Sequence, residues 1–97
     1  MTPVSELISV RHTDLYIGGA WRPASDGQRI QVTDPASSEQ ISTVASASLQ
    51  DALDAVDAAS DAFRSWAARA PRERAEILRR AFELMMRDQE KLAELMV

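Results

Sequence analysis

The chain has 97 residues with 45% hydrophobic and 27% charged side chains, which places it among small soluble globular chains and excludes a wholly disordered one. Eleven Lys and Arg against fifteen Asp and Glu leave a net charge of −4, so the surplus of positive charge that binds a nucleic-acid backbone is missing. Cysteine is absent, which removes disulfides, thiolate metal sites and a cysteine nucleophile from these residues, and no apolar run approaches the roughly 20 residues that span a bilayer.

Residues 1–13 have no clear period and read as a loose N-terminal arm. They carry neither a basic start nor a long apolar stretch of the signal-peptide kind, so the expected location is cytoplasmic. Leu15-Tyr16-Ile17, Gly18-Gly19 and Ala20-Trp21-Arg22 then read as a β-hairpin, because two glycines supply the positive φ that a two-residue turn needs. Ser25-Asp26-Gly27 is a second turn. Ile30 and Val32 alternate with Arg29, Gln31 and Thr33 as in a half-buried strand, which Asp34-Pro35 stops. Ile41 to Ala45 is a further short strand.

Composition changes near residue 48. All three glycines lie before it, and the remainder contains a single proline, Pro71. Ser48 opens a helix in which Asp51 can reach back to complete a capping box. Leu49, Leu53, Val56, Ala59 or Ser60, Phe63 and Trp66 make one face apolar, and the helix is expected to end near Ala68. Pro71 suits the first turn of a second helix, whose stripe is Ala75, Leu78, Phe82, Met85, Leu92 and Met96. Arg87-Asp88-Gln89-Glu90 interrupts the stripe, so a break is expected there with Asp88 capping a third helix. The chain closes on Leu95-Met96-Val97 without a helix cap, which reads as a polypeptide that continues.

Groups that could carry chemistry are few. His12 is the single histidine, and an exposed arm residue is the simpler reading than a general base or metal ligand. Asp51, Asp54, Asp57 and Asp61 could hold a hard cation, but a solvated acidic face near a helix N-terminus explains them more simply. Gly18-Gly19 is a turn rather than a phosphate cradle, and no GxGxxG, GxxxxGK[ST] or GxSxG motif occurs. Arg72, Arg74, Arg79, Arg80 and Arg87 alternate with Glu73, Glu76, Glu83 and Glu90, as on a solvated face laced with ion pairs.

Leu78, Phe82, Met85, Gln89, Leu92 and Met96 also fit a coiled-coil seam, although Ile77, Ala81, Leu84, Met86 and Leu95 widen it into the stripe of a helix on a globular core. Trp21 and Trp66 read as core or interface anchors. No catalytic, cofactor-binding or metal-binding residue is assigned.

The order of landmarks carries more than any one of them. Leu15 to Trp21, Val32-Thr33-Asp34-Pro35-Ala36, Ala62-Phe63-Arg64-Ser65-Trp66 and Arg72 to Arg80 together resemble the opening of an NAD(P)-dependent aldehyde dehydrogenase. The stretch ELMMRDQEKLAELM at 83–96 is similar to the succinate-semialdehyde branch. The resemblance covers residues 14–97, with Asp34 where the family usually has asparagine; both favour turns.

It implies an α/β enzyme with a Rossmann-like cofactor domain, of which this chain is the N-terminal fifth: a hairpin and short strands followed by two or three helices. In that family a thiolate attacks the aldehyde, hydride passes to NAD or NADP, and an activated water releases the acid. The cysteine, glutamate, asparagine and cofactor loop of that chemistry lie farther along and have no matching position here. Some members bind a monovalent cation through backbone carbonyls that would match Val32 and Thr33.

The expectation is therefore a part of a homo-oligomeric enzyme acting on a small aldehyde, with no nucleic-acid or membrane partner. The 97 residues alone are expected to bind no cofactor, to be inactive, and to self-associate through bare helix faces. The competing readings are a free-standing helical interaction module and, less favoured, a small complete α+β domain.

Overall fold

A computed structural model of the chain describes residues 8–97, so most of the arm expected over 1–13 lies outside the described residues. Val10–Thr13 forms a single 3-10 turn. Strands β1 (Leu15–Ile17) and β2 (Ala20–Arg22) pair antiparallel, with Tyr16 opposite Trp21 and Ile17 opposite Ala20. Gly18 and Gly19 between them have φ of +62° and +82°, the pair of positive values that a type I′ turn demands. The hairpin read from the sequence is present.

Strands β3 (Arg29–Thr33) and β4 (Gln40–Ala45) form a separate antiparallel ribbon, so the β half is two ribbons rather than one sheet. Their loop is built on Asp34, whose carboxylate accepts from Ala36 N at 2.8 Å while its carbonyl accepts from Ser38 N at 2.7 Å. Ser38 takes φ of +62°, and the register slips between Val32 and Thr33. The bulge lets the ribbon absorb this loop without turning its side chains over.

Helix α1 (Leu49–Ala68) begins at the expected residue, with Ser48 and Asp51 exchanging both bonds of a capping box. It ends at Ala68, where Arg69 (φ −65°, ψ 148°) and Ala70 (φ −56°, ψ 140°) are both extended, and Pro71 disfavours the helical region for Ala70. Pro71 opens α2 (Pro71–Arg87), where its missing N–H leaves nothing unpaired. Asp88, at φ −101° and ψ 19°, separates α2 from α3 (Gln89–Met96). The break is where the sequence places it, but its chemistry differs. The Asp88 carboxylate accepts from Arg87 Nε and Nη2 at 3.2 and 3.0 Å and makes no cap to α3. The adjacent guanidinium outcompetes the backbone amides and holds that carboxyl below the usual range.

The described residues bury one apolar side chain, Ala24, together with polar Thr13 and Asp51. The apolar stripes of α1 and α2 instead face outward, with Val56, Phe63, Leu78 and Phe82 all at least 60% exposed. The radius of gyration is 16.6 Å, well above the ~13 Å of a compact chain of this length. With α3 starting afresh at Gln89, the Leu78 to Met96 spacing is not one continuous seam.

Candidate functional site

The most organised group of side chains lies where the hairpin meets the start of α1. The capping box brings the Asp51 carboxylate back over the helix end, where Oδ2 accepts from Ser48 N and Ser48 Oγ, both at 2.9 Å. The same carboxylate accepts Ser25 N at 3.2 and 3.0 Å through its two oxygens. Arg22, the last residue of β2, reaches across with one nitrogen, Nη2, to Asp51 Oδ1 at 3.0 Å and Asp54 Oδ2 at 2.9 Å. Ser25 Oγ and Ser48 Oγ are 2.6 Å apart. Since Ser48 spends its proton on Asp51, Ser25 is the donor of that pair.

Asp51 is 1% exposed and fully partnered. Hydrogen bonds from the Ser48 and Ser25 amides lower its pKa from 3.8 to about 2, with burial opposing and Arg22 assisting. Asp54 is also lowered, first by its bond to Arg22 and then by Gln50, and Arg22 is raised in return. These two acids are therefore not the solvated face that their spacing suggests. A guanidinium 29 and 32 residues earlier in the chain covers them, and only Asp57 and Asp61 stay exposed.

A second arginine makes the matching joint inside the β half. Arg29 pairs with Asp14 at 3.0 Å, donates to Thr13 Oγ1 at 2.7 Å, and reaches the Thr43 carbonyl and hydroxyl, each at 2.9 Å. It ties the 3-10 turn to the β3–β4 ribbon. Neither arginine was singled out from the sequence. The one available signal is that residues 1–50 contain only three arginines and no lysine.

His12 is exposed, as the simpler reading held. Its ring lies 4.8 Å from Trp21, which lies 4.8 Å from Tyr16, and its Nε2 accepts from Arg11 Nε at 3.3 Å. Trp21 and Trp66 are 39% and 36% exposed, so neither is a core anchor within these residues. Among the described residues, no three His, Asp or Glu side chains converge as a metal site would require. The helix arginines pair as expected in part: Arg79 lies 3.7 Å from Glu76 and 3.4 Å from Glu83, and Arg80 lies 3.8 Å from Glu83.

Two concavities lie elsewhere among these elements. An open groove of 700 Å³ separates Tyr16 and the glycine turn from Ala55, Ala58 and Ala62 of α1. A cleft of 430 Å³ lies between His12, Thr13, Val32 and Val44, with Leu95 of α3 at its edge. In the cleft His12 shares the wall with the hydroxyls of Ser9, Thr13 and Ser42, whereas the groove holds no histidine, and no thiol exists anywhere in the chain. Among the described residues, no helix is long and apolar enough to cross a membrane.

Comparison with known proteins agrees with the order of these elements. The chain is 44% identical over 81 residues to glutarate-semialdehyde dehydrogenase of Pseudomonas putida, covering 84% of this chain and 17% of that protein. It is 41% identical over 80 residues to the NADP(+) succinate-semialdehyde dehydrogenase of Escherichia coli, covering 82% and 17%. The crystal structure of an aldehyde dehydrogenase from Brucella melitensis biovar abortus superposes with a TM-score of 0.83 at 36% identity, covering 91% of this chain and 18% of that one. The chain thus spans about a sixth of the length of the curated relatives it matches. The profile described as the aldehyde dehydrogenase family matches residues 21–97, and on that match the chain belongs to the aldehyde dehydrogenase family.

Proposed function

We propose that these residues are the N-terminal part of an NAD(P)-dependent enzyme that oxidises a short semialdehyde, of the succinate or glutarate type, to its acid. The observation that carries this reading is 41–44% identity to two semialdehyde dehydrogenases, over a region that is 17% of each. The NADP(+) in the name of one relative supports a nicotinamide dinucleotide as hydride acceptor.

The part played by this chain is structural. It has no cysteine to attack a carbonyl, so the 97 residues alone do not turn over an aldehyde. The hairpin and α1 are held together by Arg22 and Asp51, while the outward stripes through Val56, Phe63, Leu78 and Phe82 supply apolar area for the rest of the enzyme to cover. The enzyme is cytoplasmic and homo-oligomeric in this reading, with a small aldehyde as its partner rather than nucleic acid or membrane.

The test is a graft. Residues 14–97 replace the matching stretch of the Escherichia coli relative, and NADP(+) reduction is followed with succinate and glutarate semialdehydes. Activity within about tenfold of the unmodified enzyme (~1.4 kcal/mol in barrier) is the expected result, with none from the 97 residues alone. An inactive graft, together with a discrete, cooperatively melting dimer of the 97 residues in sedimentation, would overturn it in favour of a helical interaction module.

A further inference from the structure

We infer that Asp51 couples the β1–β2 hairpin to the first turn of α1, so that the hairpin and that turn open and close as one unit. One carboxylate serves both sides at once. On the helix side it accepts Ser48 N and Ser48 Oγ, and its own amide donates back to Ser48 Oγ at 3.2 Å. On the β side it accepts Ser25 N and the Arg22 guanidinium.

Its two oxygens are therefore shared between a local helix cap and contacts from residues 26 and 29 positions away. Losing either set leaves a buried charge short of donors, which loosens the other set. An open groove separates Tyr16 and the glycine turn from Ala55, Ala58 and Ala62, so apolar packing there is loose, and the Ser25 Oγ–Ser48 Oγ bond of 2.6 Å adds a second polar link that does not involve Arg22. Asp54 contributes a second acceptor for Arg22 and accepts from Gln50 Nε2 in the first turn at 2.8 Å, but it lies outside the capping box, and an Asp54→Asn background separates its share from that of Asp51.

The inference does not depend on the proposed activity and is tested by amide hydrogen exchange on the graft described above, where the rest of the enzyme can cover the apolar stripes. Arg22→Ala touches no group of α1's backbone, yet it is expected to speed exchange of the Asp51 and Ala52 amides about tenfold, the factor that one charge-assisted hydrogen bond carries. Ser48→Ala, at the helix end, is expected to speed exchange of amides paired across β1–β2. Amides in the middle of α2 serve as the internal reference and keep their rates.

In an Asp51→Asn background, Arg22→Ala is expected to add nothing at the helix end, whereas in an Asp54→Asn background its effect persists. Where Arg22→Ala erases protection in α2 as well, Arg22→Lys gives the same pattern with smaller amplitude. If each substitution alters only its own side, or if the effect persists without the Asp51 carboxylate, the hairpin and helix end open independently and the inference fails.

Discussion

The two halves of this chain are held by different physics. In the β half, from the 3-10 turn to β4, stability comes from turn geometry and two arginines that each gather several acceptors. The helical half is stabilised within each helix, by the capping box, Pro71 and exposed ion pairs such as Arg79 with Glu83. Its apolar stripes are bare within the described residues, and the junction between the halves is built on a charge network around the buried Asp51 carboxylate. The lesson is that amphipathic helices alone do not make a core; a stripe stabilises only when something covers it.

Substitutions should separate the two kinds of stabilisation. The largest effect is expected from Asp51→Ala, which removes both the cap and the hairpin's anchor. Measured in the graft, its midpoint in urea should fall further than that of any substitution below.

Acid should act on the same group. The Asp51 pKa is depressed in the folded chain to about 2 from 3.8, so its contribution is complete above about pH 4 and disappears as pH falls through about 2. A circular-dichroism titration in that window should show a transition that Asp51→Asn removes.

Next comes Gly19→Val at φ +82°, where a β-branched side chain in the left-handed region should cost about 1–2 kcal/mol, read by denaturant melting. Ser48→Ala should cost about 1 kcal/mol through the lost cap. Arg79→Ala, confined to exposed pairs, should change stability by no more than about 0.5 kcal/mol, and less in high salt. If Arg79→Ala proved costlier than Gly19→Val, the contrast between the halves would collapse.

Much of the fold was legible because its determinants are local. Gly18-Gly19 named its own turn, Ser48 and Asp51 named the start of α1, and Ala70-Pro71 named its end. The misreadings concern groups whose partners lie elsewhere. Asp88 was expected to cap α3, but a neighbouring guanidinium holds it. Asp51 and Asp54 were expected to face water, but Arg22 covers them. Helical spacing states which face a residue occupies and is silent about what arrives at that face from another part of the chain.

By itself, then, the sequence determined the strands, the three helices with their approximate boundaries and, through the order of its landmarks, the aldehyde dehydrogenase family, while the 3-10 turn at Val10–Thr13 fell in the stretch read as a loose arm. Those properties depend on backbone preferences and side chains a few positions apart, where chain connectivity sets the geometry. Only the tertiary structure decided that Arg22 and Asp51 form the joint, that Arg29 ties the 3-10 turn to its ribbon, and that the helix stripes find no cover within the described residues. Contacts between groups tens of residues apart depend on how whole elements dock, and a charge pattern read along one dimension does not contain that information.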